Sequence, residues 1–333
     1  MERSGTHLPA IHALLLVRDE EDIIAQCLDH LLSWAAGVYV LDTGSTDGTW
    51  EIISERAVRE RRIVAPARTD ALYRSGLRAR LVEAHRHRFG RGDWLARVDA
   101  DEFYHVDPRE FVRDRVARHE ARVAMWQYLF VVTRSEARDW RQRRETTVDR
   151  ARPIERRRRF YRLDPFPEQR LFRWRRGLRW DDRAADPCNP GPMAAERIPV
   201  RHYRFRDLAQ MRVRERLRRS IAAQTELVGR HWERGRLRRW IVRDDHPALH
   251  CWEPGTPLRV HEEWPEASAH LSMSPCGRVE RWCHRAGLVG LLDVARSWGP
   301  SQQPEATCLD RFPRVSSLHS VLPSSNAPSS APR

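Results

Sequence analysis

Residues 11–49 read IHALLLVRDEEDIIAQCLDHLLSWAAGVYVLDTGSTDGT, and the hydrophobic residues of this stretch follow two different periods. The continuous apolar run at residues 12–17 is typical of a strand that is covered on both faces. Apolar residues then recur at helical spacing through residues 23–32, behind acidic residues that favour a helix N-terminus. Gly37 follows where such a helix should stop, and residues 38–41 form a second short strand. The stretch therefore predicts a β-α-β unit.

The same alternation of strands and helices continues along the chain. Further strands are predicted at residues 63–65, 94–98, 123–132, 171–174 and 198–205. Between residues 134 and 164 the periodicity is lost and the charge rises, which predicts a long loop or a mobile flap. A long helix is predicted from Leu208 to Trp232 by its apolar spacing. The pattern indicates an α/β fold, with a sheet flanked by helices and an α-helical C-terminal extension.

The composition sets domain boundaries and bears on location. We expect a main domain at residues 8–205, a helical extension at 206–296 and a disordered, Ser/Pro-rich tail at 297–333. No apolar run approaches the roughly 20 residues that cross a bilayer. Pro9 and His12 interrupt the only apolar stretch near the start that could act as a secretory leader. We therefore expect a cytoplasmic protein.

The net charge is strongly basic. The 333 residues include 60 basic and 46 acidic side chains, giving +14, and every one of the 60 is arginine. Arginine is spread over the whole chain, which indicates a codon preference rather than a nucleic-acid-binding face, so we expect no specific nucleic-acid partner. Residues 134–176 are an exception, with 16 arginines against 7 acidic residues. This segment forms either a solvated face or a patch for phosphate ligands or for the inner surface of a membrane.

Acidic residues follow three of the predicted strands at the point where each strand ends. Residues 19–21 follow the first strand, Asp42 follows the second, and Asp99 and Asp101 follow the strand at 94–98. Ligands of an open parallel sheet bind beyond the carboxyl ends of its strands, although a single acid there can also cap a helix. Asp99 and Asp101 would lie on the same side of extended backbone. Two such carboxylates suit Mg²⁺ or Mn²⁺ bound together with substrate phosphates.

Three segments carry a resemblance to a known family. LVRDEEDII at residues 16–24, VLDTGSTDGT at 40–49 and DWLARVDADEF at 93–103 resemble the bacterial family-2 glycosyltransferases of the GT-A fold, in the family's order. The resemblance extends more loosely over residues 11–205 and does not cover the last third of the chain. It implies a GT-A-like, mixed and mostly parallel sheet that binds a nucleoside diphosphate sugar.

The resemblance also implies roles for individual residues. The nucleoside would be held by Val17, Arg18, Glu20 and Asp42. Asp99 would face the ribose or the ion, and Asp101 would ligate the Mg²⁺ or Mn²⁺ that bridges the diphosphate. An arginine would donate bidentate hydrogen bonds to the diphosphate, and both Arg78 and Arg80 fit this position. His202, on a family-like strand, would complete the metal sphere or else have a structural role.

The acceptor side departs from the family pattern. Residues 169–173 followed by Trp180 are similar to the acceptor-side strand of bacterial members, in which the tryptophan precedes a His-Glu pair. Here residues 180–186 read WDDRAAD and contain no such pair. Asp186 stands at about the place of the glutamate, and Asp182 is the next candidate. Either could deprotonate an acceptor hydroxyl as a general base, or be a solvated loop acid.

Together these features predict an enzyme. We expect metal-dependent transfer of a sugar, with inversion, from a nucleoside diphosphate donor to a hydroxyl group. A UDP-sugar is the expected donor, and the acceptor is a glycan, a lipid-linked molecule or a small molecule. The missing His-Glu pair leaves a non-catalytic nucleotide-binding or glycan-binding domain as one alternative. The basic segment at 134–176 leaves an arginine-rich nucleic-acid binder as the other, with affinity that falls steeply with salt.

Overall fold

The structure is a computed structural model that describes residues 7–164, 168–224, 240–259 and 282–289. All of these residues belong to the first of two units into which the chain divides, residues 1–293. The second unit, residues 294–333, lies outside the described residues, and the predicted disordered tail at 297–333 lies outside them too. The fold below is therefore that of the first unit.

The first hundred residues form a parallel layer of alternating strands and helices. Its strands are β1 (Ile11–Val17), β2 (Gly37–Asp42), β3 (Ile63–Arg68) and β4 (Trp94–Asp99). Its helices are α1 (Ile24–Leu32), α2 (Thr49–Arg59) and α3 (Arg78–His85). The strands pair in parallel in the order β4-β1-β2-β3, so their carboxyl ends meet at one edge of the sheet. The β-α-β prediction is confirmed.

The rest of the sheet is mainly antiparallel. Its strands are β5 (Glu102–Tyr104), β6 (Arg122–Phe130), β8 (Phe160–Asp164), β9 (Gln169–Arg173), β10 (Ile198–His202) and β12 (His250–Cys251). A separate two-stranded parallel sheet is formed by β7 (Val132–Thr133) and β11 (Ile241–Val242). The helices are α4 (Pro108–Arg115), α5 (Arg134–Arg141), α6 (Ile154–Arg157) and α7 (Leu208–Gln224). The order β12-β8-β6-β9 continues the sheet from β4, while β10 pairs in parallel with β6 and antiparallel with β5. The predicted mixed sheet flanked by helices is confirmed, with its parallel pairs concentrated in β1–β4.

Strand β1 explains why a continuous apolar run was needed at its position. All seven of its residues are buried. Ala13 and Leu15 pack into a core that includes residues of α1, whereas Leu14 and Leu16 pack into a second core with residues of α3. Alternate residues of a strand point to opposite faces, so a strand covered on both sides must be apolar at every position.

The predicted loop or flap at residues 134–164 is wrong. This segment contains α5, a 3-10 turn at Thr147–Ala151, α6 and β8. The guanidiniums of Arg157 and Arg158 are buried rather than solvated. The Arg158 Nη2 donates to Glu145 Oε1 at 2.7 Å, and the Arg157 Nη2 donates to Asp207 Oδ2 at 3.3 Å. Part of the charge that predicts an exposed loop, on Arg157 and Arg158, instead forms internal ion pairs.

The predicted helical extension is helical only in part of what the structure describes. Helix α7 confirms its first portion, whereas Val228 and Trp232 lie outside the described residues. Residues 240–259 contribute β11, which pairs with β7, and β12, which pairs with β8. No helix within the described ranges is both long enough and apolar enough to span a bilayer.

Gly76 allows the turn before α3 to pack against the backbone of the loop at residues 182–184. A Cβ atom at Gly76 would lie 2.1 Å from the carbonyl oxygen of Asp182 and 2.8 Å from that of Ala184. Because a backbone carbonyl cannot rotate away as a side chain can, we expect Gly76→Ala to lower the free energy of unfolding by about 2–3 kcal/mol. Urea denaturation measures this loss. Gly90→Ala, where the new Cβ would meet only the Asp93 carboxylate at 3.3 Å, should change the free energy of unfolding by less than about 0.5 kcal/mol. Similar losses in the two variants would contradict the prediction.

Candidate active site

A cavity of about 540 Å³ opens at the carboxyl ends of β1 and β4. Residues 16–22, from the end of β1 and the loop after it, line one side, and residues 99–101 after β4 line the adjacent side. His202 at the end of β10 and one face of α7 complete the walls. Two of the strand ends that the sequence predicts as a ligand site therefore converge on one cavity.

The loop after β1 is held in place by the loop after β2. Asp19 has a left-handed backbone, with φ of 53°, and its Oδ1 accepts a hydrogen bond from the Thr46 N–H at 2.7 Å. The backbone N–H of Glu20 donates to Thr49 Oγ1 at 2.8 Å. These contacts fix the end of β1 and the loop after it, which carry three of the four residues predicted to hold the nucleoside. Three of those residues line the cavity: Val17, Arg18 and Glu20.

Asp42, the fourth predicted donor-binding residue, does not line this cavity. Its side chain is fully buried at the end of β2, where Oδ1 accepts N–H hydrogen bonds from Gly44 at 2.7 Å and Ser45 at 2.8 Å. Its Oδ2 is buried and accepts no hydrogen bond in the structure. Asp42 therefore closes the turn after β2. Of the two residues expected to share a cleft, Asp101 lines the cavity and Asp42 does not.

Asp99 lies in the cavity wall between an arginine and a tyrosine. Its Oδ1 accepts hydrogen bonds from Arg78 Nη2 at 2.6 Å and from the Tyr73 hydroxyl at 3.0 Å. Burial favours a raised pKa for Asp99, but the Arg78 and Arg170 guanidiniums outweigh it and hold the pKa well below its usual range. Arg80, the other candidate arginine, donates instead to Asp182 at 3.1 Å. The structure thus brings Arg78, and not Arg80, to the Asp99 carboxylate.

Asp101 is buried and lies among three cationic or potentially cationic groups. Its Oδ2 accepts a hydrogen bond from Arg214 Nη1 at 2.7 Å. The same oxygen lies 3.4 Å from His202 Nε2 and 3.9 Å from Arg206 Nη1. Burial opposes ionisation, yet the neighbouring Arg214 and His202 keep the pKa of Asp101 well below its usual range. Asp101 is therefore ionised at neutral pH.

A hydrogen-bonded chain fixes the orientation of His202. The Asp164 carboxylate can only accept, so the amide group that faces it at 2.8 Å is the NH₂ of Gln127. The Gln127 carbonyl oxygen then faces His202 Nδ1 at 3.0 Å, and Nδ1 must donate. Nε2 is left facing the Asp101 carboxylate, either as the N–H of an imidazolium or as a free lone pair. Metal-binding histidines have this arrangement, in which the second ring nitrogen donates to a fixed acceptor.

These residues fit a divalent ion that arrives with substrate oxygens. A neutral His202 Nε2 and Asp101 Oδ2 would be two acceptors 3.4 Å apart, a separation that favours a shared cation. Mg²⁺ and Mn²⁺ are commonly held by one or two protein groups together with waters and phosphates. Across the described residues, no set of three His, Cys, Asp or Glu side chains forms a metal cluster. Asp99, the third predicted ligand, turns its Oδ1 to Arg78 and Tyr73, so Asp101 and His202 are the protein ligands that the geometry supports.

Part of the chain that forms this cavity is similar to known proteins. Residues 14–177 match the family described as Glycosyl transferase family 2. Over these residues the chain is similar to the family 2 glycosyltransferases. The solved structures that match include the mannosyltransferase PcManGT from Pyrobaculum calidifontis in complex with GDP-Man and Mn²⁺, at 14% identity and a TM-score of 0.36. That match covers 66% of this chain and 66% of the mannosyltransferase chain, just under two thirds of its length. No curated protein gives a significant match to this chain.

The two predicted general bases follow the matched part of the glycosyltransferase domain, and neither lines the cavity. Asp186 Oδ1 accepts a hydrogen bond from Arg97 Nη1 at 2.5 Å. Arg97 also donates to Glu168, a carboxylate that does line the cavity. Asp182 accepts hydrogen bonds from two arginines, Arg74 at 2.8 Å and Arg80 at 3.1 Å. Asp186 is thus linked to the cavity through one shared arginine, whereas Asp182 is not.

Several residues of the glycosyltransferase site are absent from the sequence-based prediction. Glu168 is one of them, and the Arg170 guanidinium lowers its pKa to about 2 against the opposing effect of burial. Arg170 is fully buried and also donates to Glu102, so it holds two carboxylates. Gln127 is a single amide in the otherwise apolar stretch of β6, and this isolated polar residue is a signal that could have been used. Arg214 carries no such signal, because α7 contains many arginines.

The orientation of His202 predicts a role for Gln127 in metal binding. We expect Gln127→Leu to weaken Mn²⁺ binding by about 10- to 100-fold, because His202 loses the acceptor that fixes its Nδ1 proton. Titration with Mn²⁺, followed by the electron paramagnetic resonance signal of the free ion, measures the affinity. Gln169→Leu is the matched control, since Gln169 contacts Arg122 and does not line the cavity. Unchanged Mn²⁺ affinity in Gln127→Leu would show that His202 is not a ligand.

Proposed function

We propose that this protein is a metal-dependent, inverting glycosyltransferase that moves a sugar from a nucleoside diphosphate donor to a hydroxyl acceptor. The observation that supports the proposal is that Asp101 Oδ2 and His202 Nε2 lie 3.4 Å apart in a cavity lined in part by residues that match the family 2 glycosyltransferases. A UDP-sugar is the proposed donor. The acceptor class is a glycan, a lipid-linked molecule or a small molecule.

The donor would lie along the cavity with its nucleoside toward the loop after β1. Val17, Arg18 and Glu20 line this side, and the Arg18 Nη1 is held by a hydrogen bond to the Thr43 carbonyl at 3.1 Å. The proposed role of Asp42 is to hold the turn beneath the nucleoside, through its hydrogen bonds from the N–H groups of Gly44 and Ser45. Arg78 is fully buried, so we assign it the positioning of Asp99 rather than direct contact with the diphosphate.

Asp101 and His202 would hold Mg²⁺ or Mn²⁺, with Asp99 beside them. When bound, the ion stabilises the negative charge that develops on the diphosphate as the bond to the sugar breaks. The protein's part is to keep Asp101 ionised and to keep His202 Nε2 turned toward it. Both conditions are met by contacts already described, through Arg214 for the carboxylate and through Gln127 for the imidazole.

For the acceptor side we propose Asp186 as the general base. Direct displacement with inversion needs one base near the acceptor hydroxyl and no covalent nucleophile. Glu168 is nearer the cavity, but a pKa of about 2 makes its carboxylate a weak base at neutral pH. Asp182, held by two arginines, is the second choice. Release of Asp186 from Arg97 would accompany binding of the acceptor.

The basic segment at residues 134–176 gives limited support to contact with an anionic surface. Three of its arginines are buried inside the protein: Arg157, Arg158 and Arg170. These side chains pair with carboxylates of the fold and are not available to a membrane or to a nucleic acid. Cytoplasmic location and peripheral contact with a membrane stay predictions of the sequence, and nucleic-acid binding is less favoured than the sequence indicates.

A second candidate function is metal-dependent nucleotide binding without sugar transfer. It is favoured by the arginine partners of both Asp182 and Asp186, which neutralise the two carboxylates proposed as bases. The two functions differ in turnover. Release of UDP, GDP or dTDP from a panel of donor sugars with hydroxyl acceptors supports the transferase, whereas tight nucleotide binding with no release supports the second candidate.

Loss of the Asp101 charge provides the test of the proposed ion site. We expect Asp101→Asn to abolish the metal-dependent part of nucleoside diphosphate affinity, at least about a tenfold loss, because a neutral amide is a poor ligand for Mn²⁺. Calorimetric titration of UDP, GDP and dTDP, with and without Mn²⁺, measures it. Asp29→Asn, which removes an exposed carboxylate of α1 paired with Arg56, controls for the change in net charge. Equal metal dependence in both variants would refute the assigned ion site.

A further inference from the structure

Helix α7 places a cation on the carboxylate that is proposed to bind the metal ion. Arg214 Nη1 donates to Asp101 Oδ2 at 2.7 Å and lies 3.5 Å from Glu20 Oε1. The helix follows the part of the chain that matches the glycosyltransferase family, which ends at residue 177. Arg214 therefore occupies space beside Asp101 that a metal ion on the same oxygen would need.

Of the three groups around Asp101 Oδ2, Arg214 is the most exposed. Arg206 is fully buried and makes two hydrogen bonds to Asp22, at 2.7 Å and 2.9 Å. His202 is held by Gln127. The Arg214 side chain is 21% exposed to solvent, and its Nε donates no hydrogen bond in the structure. A long, partly exposed side chain with an unused donor can change partners without unfolding its surroundings.

Other arginines lie along the path that Arg214 would take. Arg218 is one helical turn further along α7, and both residues line the cavity. Burial, together with the Arg214 and Arg204 guanidiniums, lowers the pKa of Arg218 to about 8. Arg204, two positions after His202, also lines the cavity. The guanidinium-bearing side chains of Arg204, Arg214 and Arg218 thus line the same cavity.

We propose that Arg214 is an exchangeable counter-cation, which neutralises Asp101 in the free protein and moves to the diphosphate of the donor when the ion and the donor bind. Arg204 and Arg218 complete the set of guanidiniums around the diphosphate. The proposal rests on the proposed function, because it assumes a nucleoside diphosphate ligand and an ion at Asp101. It adds a positioning and binding role for residues outside the matched family domain.

Elementary electrostatics gives the reason for the exchange. A buried carboxylate without a partner is strongly disfavoured, so Asp101 needs a cation in the free protein. A guanidinium and a divalent ion on one carboxylate oxygen repel each other, so Arg214 must leave when the ion arrives. A diphosphate offers Arg214 bidentate acceptors in return. Binding of the ion and binding of the nucleotide should therefore be cooperative, each strengthening the other by the same factor.

The experiment compares Arg214→Met with Arg212→Met in the full chain. Arg212 is an exposed arginine of the same helix that does not line the cavity, so both variants lose one positive charge from α7. Mn²⁺ affinity is measured without nucleotide from the resonance signal of the free ion, and UDP and GDP affinity is measured by calorimetry with Mn²⁺ present. We expect Arg214→Met to bind Mn²⁺ alone at least about tenfold more tightly than Arg212→Met. We also expect it to bind UDP or GDP at least about tenfold more weakly.

Further results test whether Arg214 exchanges between Asp101 and the diphosphate. Equal Mn²⁺ affinity in Arg214→Met and Arg212→Met, with Mn²⁺ bound in both, overturns the exchange and leaves the proposed ion site intact. Absence of Mn²⁺ binding in every variant, with UDP or GDP still bound, overturns both the exchange and the metal dependence of the proposed function. Arg214→Lys keeps the charge and should stay near wild type in Mn²⁺ affinity. If Arg214→Met fails to fold by circular dichroism, Arg214→Gln replaces it with the same expectations.

Discussion

Pairing of buried charge is the constraint on which this site depends. Carboxylates after β1 and β4 lie beneath α7, where an unpaired ionised group would cost several kcal/mol. Arginine supplies the partners, and Arg206 shows how: its guanidinium holds Asp22 with two hydrogen bonds and also contacts Glu20. The planar fork makes several directed hydrogen bonds at once, which an ammonium group does not do in the same way. In a chain without lysine, arginine thus connects the loop after β10 to the loop after β1.

The parallel half of the fold could be predicted because its signal is local. The strands and helices of residues 11–99 have hydrophobic periods of their own, and such a period can be recognised from one sequence without knowledge of distant contacts. Residues 134–164 could not be predicted in this way, because some of their charged side chains are buried in ion pairs, one of them with a distant partner. Arg157, for example, pairs with Asp207, fifty positions along the chain. Nothing in the local spacing of charged residues distinguishes such a pair from a solvated face.

The site was predictable to the extent that strand ends define it. The meeting of Asp101 with His202 follows from residues that the sequence already singled out. Gln127 reaches His202 because β6 and β10 pair in parallel, and these two strands lie about seventy residues apart in the sequence. Asp186 differs again, because its approach to Arg97 depends on an irregular loop. The sequence shows that Gln127 is a lone amide in an apolar strand, but it does not show that His202 is its partner.

The pairing of β10 between β5 and β6 determines which of its side chains reaches the cavity. Residues of a strand alternate between faces, so a slip of one position would exchange His202 for Arg201. The same slip would carry Ile198 and Val200, which are buried in the core, to the opposite face. The apolar residues of this strand therefore hold the imidazole at the cavity, and the stability of the core and the geometry of the site depend on the same register.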